Sequence, residues 1–133
     1  MLEDFNNVNT PVERAIRRIN DEEMRRRRRV RGRDFNDWHT QLREWREAGE
    51  HGQSLRLLLE IVAAAETLAQ YDSREPRHEW YVWASKDFER LGLIEQAVEI
   101  LRRWEYHWPA GRECWPSHRE KVESRLRRLS RLL

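Results

Sequence analysis

One stretch, Gln53 to Tyr71, constrains the whole chain. Read as a helix, it sets Leu55, Leu57, Leu58, Leu59, Ile61, Val62, Ala63, Ala64, Ala65, Leu68 and Ala69 around most of its circumference, and a helix apolar on nearly every side has to be enclosed by others. The expectation is a bundle with this segment at its centre. It is not a membrane span: the run Leu55 to Ala69 is shorter than the ~20 residues a bilayer crossing needs, and it contains Arg56, Glu60 and Glu66. No segment alternates with the two-residue period of a strand, so the fold class read from the sequence is all-α.

The remaining segments supply the helices that would enclose it. Thr10-Pro11-Val12-Glu13 is a helix start, with Thr10 as cap, Pro11 where a missing N–H does no harm and Glu13 placed to reach back. The helix it opens carries a narrow apolar stripe, Val12, Ala15, Ile16 and Ile19, that ends at Asn20. After a break near Gly32, Asp34 or Asn36 can cap a second helix to Ala48, with Trp38, Leu42 and Trp45 on one face and Gly49 as the stop. Asp72 to Pro76 reads as a connector, followed by a fourth helix to Leu91. A tight turn at Leu91-Gly92 leads into a fifth helix from about Leu93 to His107, which Pro109 ends. Ser117-His118-Arg119-Glu120 has the capping-box pattern, and the helix it opens carries Val122, Leu126, Leu129 and Leu133 as its stripe. The chain divides on this reading into an N-terminal helix and Arg-rich segment, 1–33, and a helical domain, 34–133.

The chain also repeats itself. A shift of 43 residues lays Gly49, Gln53 and Ser54 over Gly92, Gln96 and Ala97, and places Trp38 on Tyr81, Trp45 on Phe88 and Leu58 on Leu101. The second copy resembles a tetratricopeptide repeat: Tyr81, Ala84-Ser85, Phe88, Ala97, Leu101 and Pro109 stand at that family's spacings. Ser85 and Ala97 are small where two helices would approach closely. The first copy offers Trp38, Gln41-Leu42, Trp45, Ser54 and Leu58. It departs from the family in a large Leu42 at a site kept small, in Glu66 where the Pro belongs, and in a period of 43 against about 34. The resemblance covers residues 36–109 loosely and 78–109 more closely. It implies antiparallel hairpins stacked as a short tetratricopeptide-like array, with the N-terminal helix on one side and the last helix as a cap.

In that family the first helix of each hairpin lines a groove that holds a peptide or a partner helix. Carried over by position, the groove face here comprises Asn36, His39, Arg43, Arg46 and Glu47 with Glu79, Val82, Lys86, Glu89 and Arg90. The expected partner-binding residues are His39, Arg43, Arg46, Val82, Lys86 and Arg90, a basic set suited to an acidic segment or a chain-terminal carboxylate. The plain alternative is a solvated helix face with balancing acids. The function implied is a non-enzymatic interaction module, an adaptor or scaffold for a protein or peptide partner.

Charge distribution suggests a rival. The net charge of +2 conceals a basic start (ten Arg and six acids in 1–33), an acidic middle (four Arg and nine acids in 34–76) and a basic end (twelve Lys or Arg and nine acids in 77–133). Arg25, Arg26, Arg27, Arg28, Arg29, Arg31 and Arg33 place seven Arg in nine positions, a candidate site for a phosphate backbone. With the basic last helix, they would make a nucleic-acid-binding accessory protein. Asp21, Glu22 and Glu23 oppose that reading, because they can pair with the same Arg along the helix.

Other chemistry is sparse. His107, Cys114 and His118 lie close in sequence beside Glu113, but match no recurring zinc spacing, so no metal is expected. There is no glycine-rich phosphate loop and no recognisable nucleophile–base pair, so neither a cofactor nor a catalytic residue is expected. A lone Cys114 fits a cytoplasmic location, and the opening residues lack the basic and apolar segments of an export signal. Of the seven Trp, Trp38, Trp45 and Trp104 have core addresses, whereas one stripe cannot take all of Trp80, Trp83, Trp108 and Trp115, so some of these are expected to show an edge at the surface. Trp80, Trp108 and Trp115 are candidates for contact with a partner, with partial burial against the last helix as the alternative.

Overall fold

The computed structural model describes residues 10–133. Residues 1–9, which open the 1–33 segment and were read above for an export signal, lie outside that range. Six helices pack against one another, and the class is all-α. The helices are α1 (Pro11–Arg27), α2 (His39–Glu47), α3 (His51–Asp72), α4 (His78–Arg90), α5 (Ile94–His107) and α6 (Pro116–Ser130).

The long apolar segment becomes α3 and sits in the middle, in contact with α1, α2 and α4. Leu57, Leu58, Ile61 and Val62 are fully buried, and Leu55 and Ala65 nearly so. The α4–α5 hairpin closes one side of it. Its turn needs the left-handed backbone of Gly92 (φ 78°), and the Leu93 amide returns to the Phe88 carbonyl at 2.8 Å. Inside the hairpin the two helices meet at Ser85, whose hydroxyl donates to the Ala97 carbonyl at 2.9 Å. Both residues are fully buried, as the smallness of their side chains led us to expect.

At the start of α1, Thr10 Oγ1 accepts the Glu13 amide at 3.2 Å, as the sequence predicts. The Val12, Ile16 and Ile19 stripe stays exposed, and α1 buries no residue of its own. Tyr71 of α3 holds it, donating to Asn20 Oδ1 at 3.0 Å and lying under the Arg27 guanidinium at 4.6 Å.

Four local readings need correcting. The break near Gly32 is a two-residue antiparallel ladder, β1 (Arg29–Val30) against β2 (Arg33–Asp34), turned through the positive φ angles of Arg31 and Gly32. Two residues per strand are too few to leave a period in a sequence. The second helix does not begin at Asp34 or Asn36. Asp34 Oδ1 instead accepts the Asn36 amide at 2.9 Å and starts a 3₁₀ turn over Phe35–Trp38, after which α2 follows. The last helix opens one residue before the expected capping box, at Pro116, with no side-chain cap; its Val122 and Leu129 are buried, while Leu133 is exposed. Trp80 and Trp108 are core residues, and only Trp115 of that trio is exposed. Trp80 is enclosed by Phe35, His39 and Trp83 rings at centroid distances of 6.0, 4.8 and 5.6 Å; the first two come from outside its own helix, where helical spacing does not reveal them.

Glu66, at the position where the repeat family has Pro, is buried. It accepts the Tyr81 hydroxyl at 2.9 Å and Arg103 Nε at 2.7 Å, and stands 3.2 Å from His107 Nε2, so one carboxylate joins α3, α4 and α5. Burial, with the Glu66 carboxylate next to it, drives the Tyr81 phenol far above its usual range.

The hairpin contact can be tested directly. Ser85→Ala removes the bond to Ala97 and is expected to destabilise by about 1–3 kcal/mol. Ser85→Leu should cost more, because overpacking adds about 1–3 kcal/mol where the helices touch; urea unfolding of the two variants checks the order.

Candidate basic groove

The groove grows out of helical spacing. His39, Arg43 and Arg46 recur along α2, and Val82, Lys86 and Arg90 recur along α4 at four-residue intervals, which aligns each set on one face. The two faces look across the same cleft. His39, Arg43, Arg46, Lys86 and Arg90 line a groove of about 570 Å³. Val82 lines an adjoining one of about 830 Å³ that shares Trp83 and Lys86 with the first. Five of the six residues expected from the sequence thus share one groove, and Val82 lines the neighbouring one. Of the accompanying polar positions, Glu47 and Glu89 line the first groove and Glu79 the second, while Asn36 accepts Arg77 Nη1 at 3.3 Å.

The sequence did not place Arg125 and Arg128 here, yet both line the two grooves from α6. Arg125 Nη2 reaches Glu89 Oε1 at 2.8 Å and its Nε reaches Ser85 Oγ at 3.0 Å; Arg128 grips both Glu89 oxygens at 2.9 and 3.0 Å. On the helix these residues read as a basic surface around a Leu stripe, and only the docking of α6 turns them toward α4. No local pattern carries that information.

Beneath the groove lies Asp87, fully buried. It accepts the Ser54 hydroxyl at 2.5 Å and faces His51 Nδ1 at 3.4 Å and Arg46 Nε at 3.5 Å. Arg46 also lies over the Trp83 ring at 5.5 Å. That double hold fixes a guanidinium on a flat aromatic floor, a geometry suited to planar anions.

Charge in the cleft is not balanced. Six cations, Arg43, Arg46, Lys86, Arg90, Arg125 and Arg128, face Glu47 and Glu89 on the wall, with Asp87 behind it. Among the described residues, no carboxylate lies within ion-pairing distance of Arg43, Lys86 or Arg90. Partial burial, and then the charges of Arg46, Arg125, Arg128 and Arg90, push the Lys86 ammonium below its ordinary range. The opposite holds at Glu89, where the guanidiniums of Arg128 and Arg125 pull the carboxyl down to about 2. Burial and the nearby Arg77 lower the His39 imidazole.

The Arg run is distributed over two elements. Arg25, Arg26 and Arg27 end α1, Arg28 caps it, and Arg29, Arg31 and Arg33 belong to the two-stranded ladder and its turn. Arg26 and Arg27 pair with Glu23, Arg28 with Asp34 at 3.0 Å and Arg31 with Glu60 at 2.7 Å, while Arg33 covers the Trp38 ring at 4.7 Å. Arg25 and Arg29 are exposed. His107, Cys114 and His118 do not converge: His107 faces Glu66, Cys114 packs half-buried on the core, and His118 faces Glu75. No helix of the described residues is long and apolar enough to cross a membrane.

Glu89 offers a test of how the groove wall is held. Its carboxyl is depressed in the folded state, so its contribution is complete above pH 4.5 and is lost as pH falls toward about 2. Glu89→Gln should lower stability by about 1 kcal/mol at neutral pH. The gap between variant and wild type should then close progressively below pH 4.5, as measured by urea midpoints across that range.

No family model, curated protein or solved structure matches the chain.

Proposed function

We propose that this chain is a non-enzymatic interaction module, tetratricopeptide-like in plan, whose basic groove holds an acidic segment of a partner protein. The observation that carries this reading is Lys86, an ammonium set among Arg46, Arg90, Arg125 and Arg128 with no carboxylate of the described residues within ion-pairing distance. Crowding like charges raises the free energy of the empty groove, and an incoming carboxylate relieves it. The tetratricopeptide comparison is supported by the buried positions of Tyr81, Ala84, Ser85, Ala97 and Leu101, five of the seven residues that resemble the family's pattern; Phe88 is half-buried and Pro109 exposed. By that analogy the first helices of the two hairpins, α2 and α4, are the ones that meet a peptide.

The Arg run is the weaker candidate for recognition. Arg26, Arg27, Arg28 and Arg31 already have carboxylate partners, and a phosphate backbone would have to compete with them.

Binding of a fluorescein-labelled peptide rich in Asp and Glu, followed by anisotropy, tests the reading. Wild type should bind and release the peptide as salt rises. The Arg43→Glu, Lys86→Glu double variant should lose at least about tenfold in affinity, since charge-assisted bonds are worth roughly 1.5–3 kcal/mol each. Retention of the peptide by the double variant would remove the groove as its site. Tighter binding of a single-stranded oligonucleotide, abolished by deleting residues 1–33, would transfer the function to the Arg run.

A further inference from the structure

His78, the first residue of α4, presents a contradiction. Its side chain is 2% exposed, and among the described residues neither ring nitrogen has a hydrogen-bond partner. An imidazole always carries at least one N–H or lone pair that seeks a partner, and a buried one without any calls for an explanation. The neighbours supply one. His118, from the first turn of α6, stacks on the His78 ring at 4.2 Å between centroids and 25° between planes. Glu75, in the connector before α4, holds His118 Nδ1 at 2.9 Å. One nitrogen from each histidine and one Glu75 oxygen lie within 4.8 Å of one another.

We propose that Glu75, His78 and His118 form a binding site for a divalent transition-metal ion of the zinc class. Two imidazoles and a carboxylate are the donor types zinc accepts, at about 2.0–2.2 Å each. Around a tetrahedral ion two such ligands stand about 3.4 Å apart, so a pair at the 4.8 Å limit has to close by about 1.4 Å. Glu75 and His118 make that movement, being partly exposed side chains, while His78 stays fixed by the core. Lys121 and Arg77 bring positive charge near His78, and Glu79 brings negative charge. The Glu75 carboxylate, with Glu79, offsets part of the positive charge gathered there.

His78 also lines the larger groove, together with Glu79, Ser117, Glu120 and Lys121. Three protein ligands leave the fourth position of a tetrahedral ion to water. The ligands come from the connector, α4 and α6, three places that no spacing rule joins. Binding clips the last helix to the fourth.

Zinc chloride titrated into the full-length, chelator-treated chain tests the site by equilibrium dialysis, with thermal unfolding followed by circular dichroism. One ion per chain is expected, with a rise in Tm. Cobalt should give the visible absorption of a low-coordinate site. His118→Ala and Glu75→Gln, both at partly exposed side chains, should each weaken uptake at least about tenfold and abolish the rise in Tm. Cys114→Ser should leave both unchanged. Absence of uptake by wild type, equal uptake by the two ligand variants, or loss of uptake in Cys114→Ser would overturn the proposal.

Discussion

A buried carboxylate organises the centre of this protein. Glu66 sits on the helix that is otherwise the most apolar in the chain, and its charge is tolerated because Tyr81, Arg103 and His107 converge on it from two other helices. Removing any of those partners leaves a desolvated charge incompletely matched, which is far more costly than losing a surface pair. Apolar packing can slide, whereas this contact admits few registers. The α4–α5 hairpin is therefore set against α3 at one height, and that height places Lys86 and Arg90 opposite Arg43 and Arg46.

Much of the architecture could be read from residue order. The all-round apolar character of α3 announced a central helix, and the small side chains of Ser85 and Ala97 announced a close approach, because both depend on periodicities within one element or one hairpin. Trp80 and Trp108, candidates for a surface contact, are enclosed instead, for the converse reason. Their enclosing groups, Phe35 and His39 for Trp80 and the Glu113 carbonyl that accepts the Trp108 indole at 3.1 Å, come from elements or loops whose positions emerge only on folding. The same limit applies to the groove. Its α2 and α4 residues followed from helical spacing; Arg125 and Arg128 did not, since their place depends on how α6 docks.

Buried polar groups recur where helices meet. Asp87 lies under the groove with Ser54, His51 and Arg46, and Glu66, further along α3, meets Tyr81 and Arg103. Each network is satisfied largely by side chains from other elements, so each specifies a particular pairing of helices more sharply than the surrounding leucines do. The cation wall above Asp87 inherits that rigidity. Arg46 is fixed at one end by a carboxylate and over its plane by Trp83.

The clamp that Glu89 makes on Arg125 and Arg128 has a consequence for any ligand of the groove. Those two guanidiniums complete the cleft only while α6 is seated, so the binding surface and the attachment of the last helix form one equilibrium. A ligand that engages either Arg favours the seated helix, and a seated helix strengthens the ligand by the same factor, because linkage between two equilibria is reciprocal. On the proposed function, α6 is therefore both a structural closure and one wall of the recognition surface.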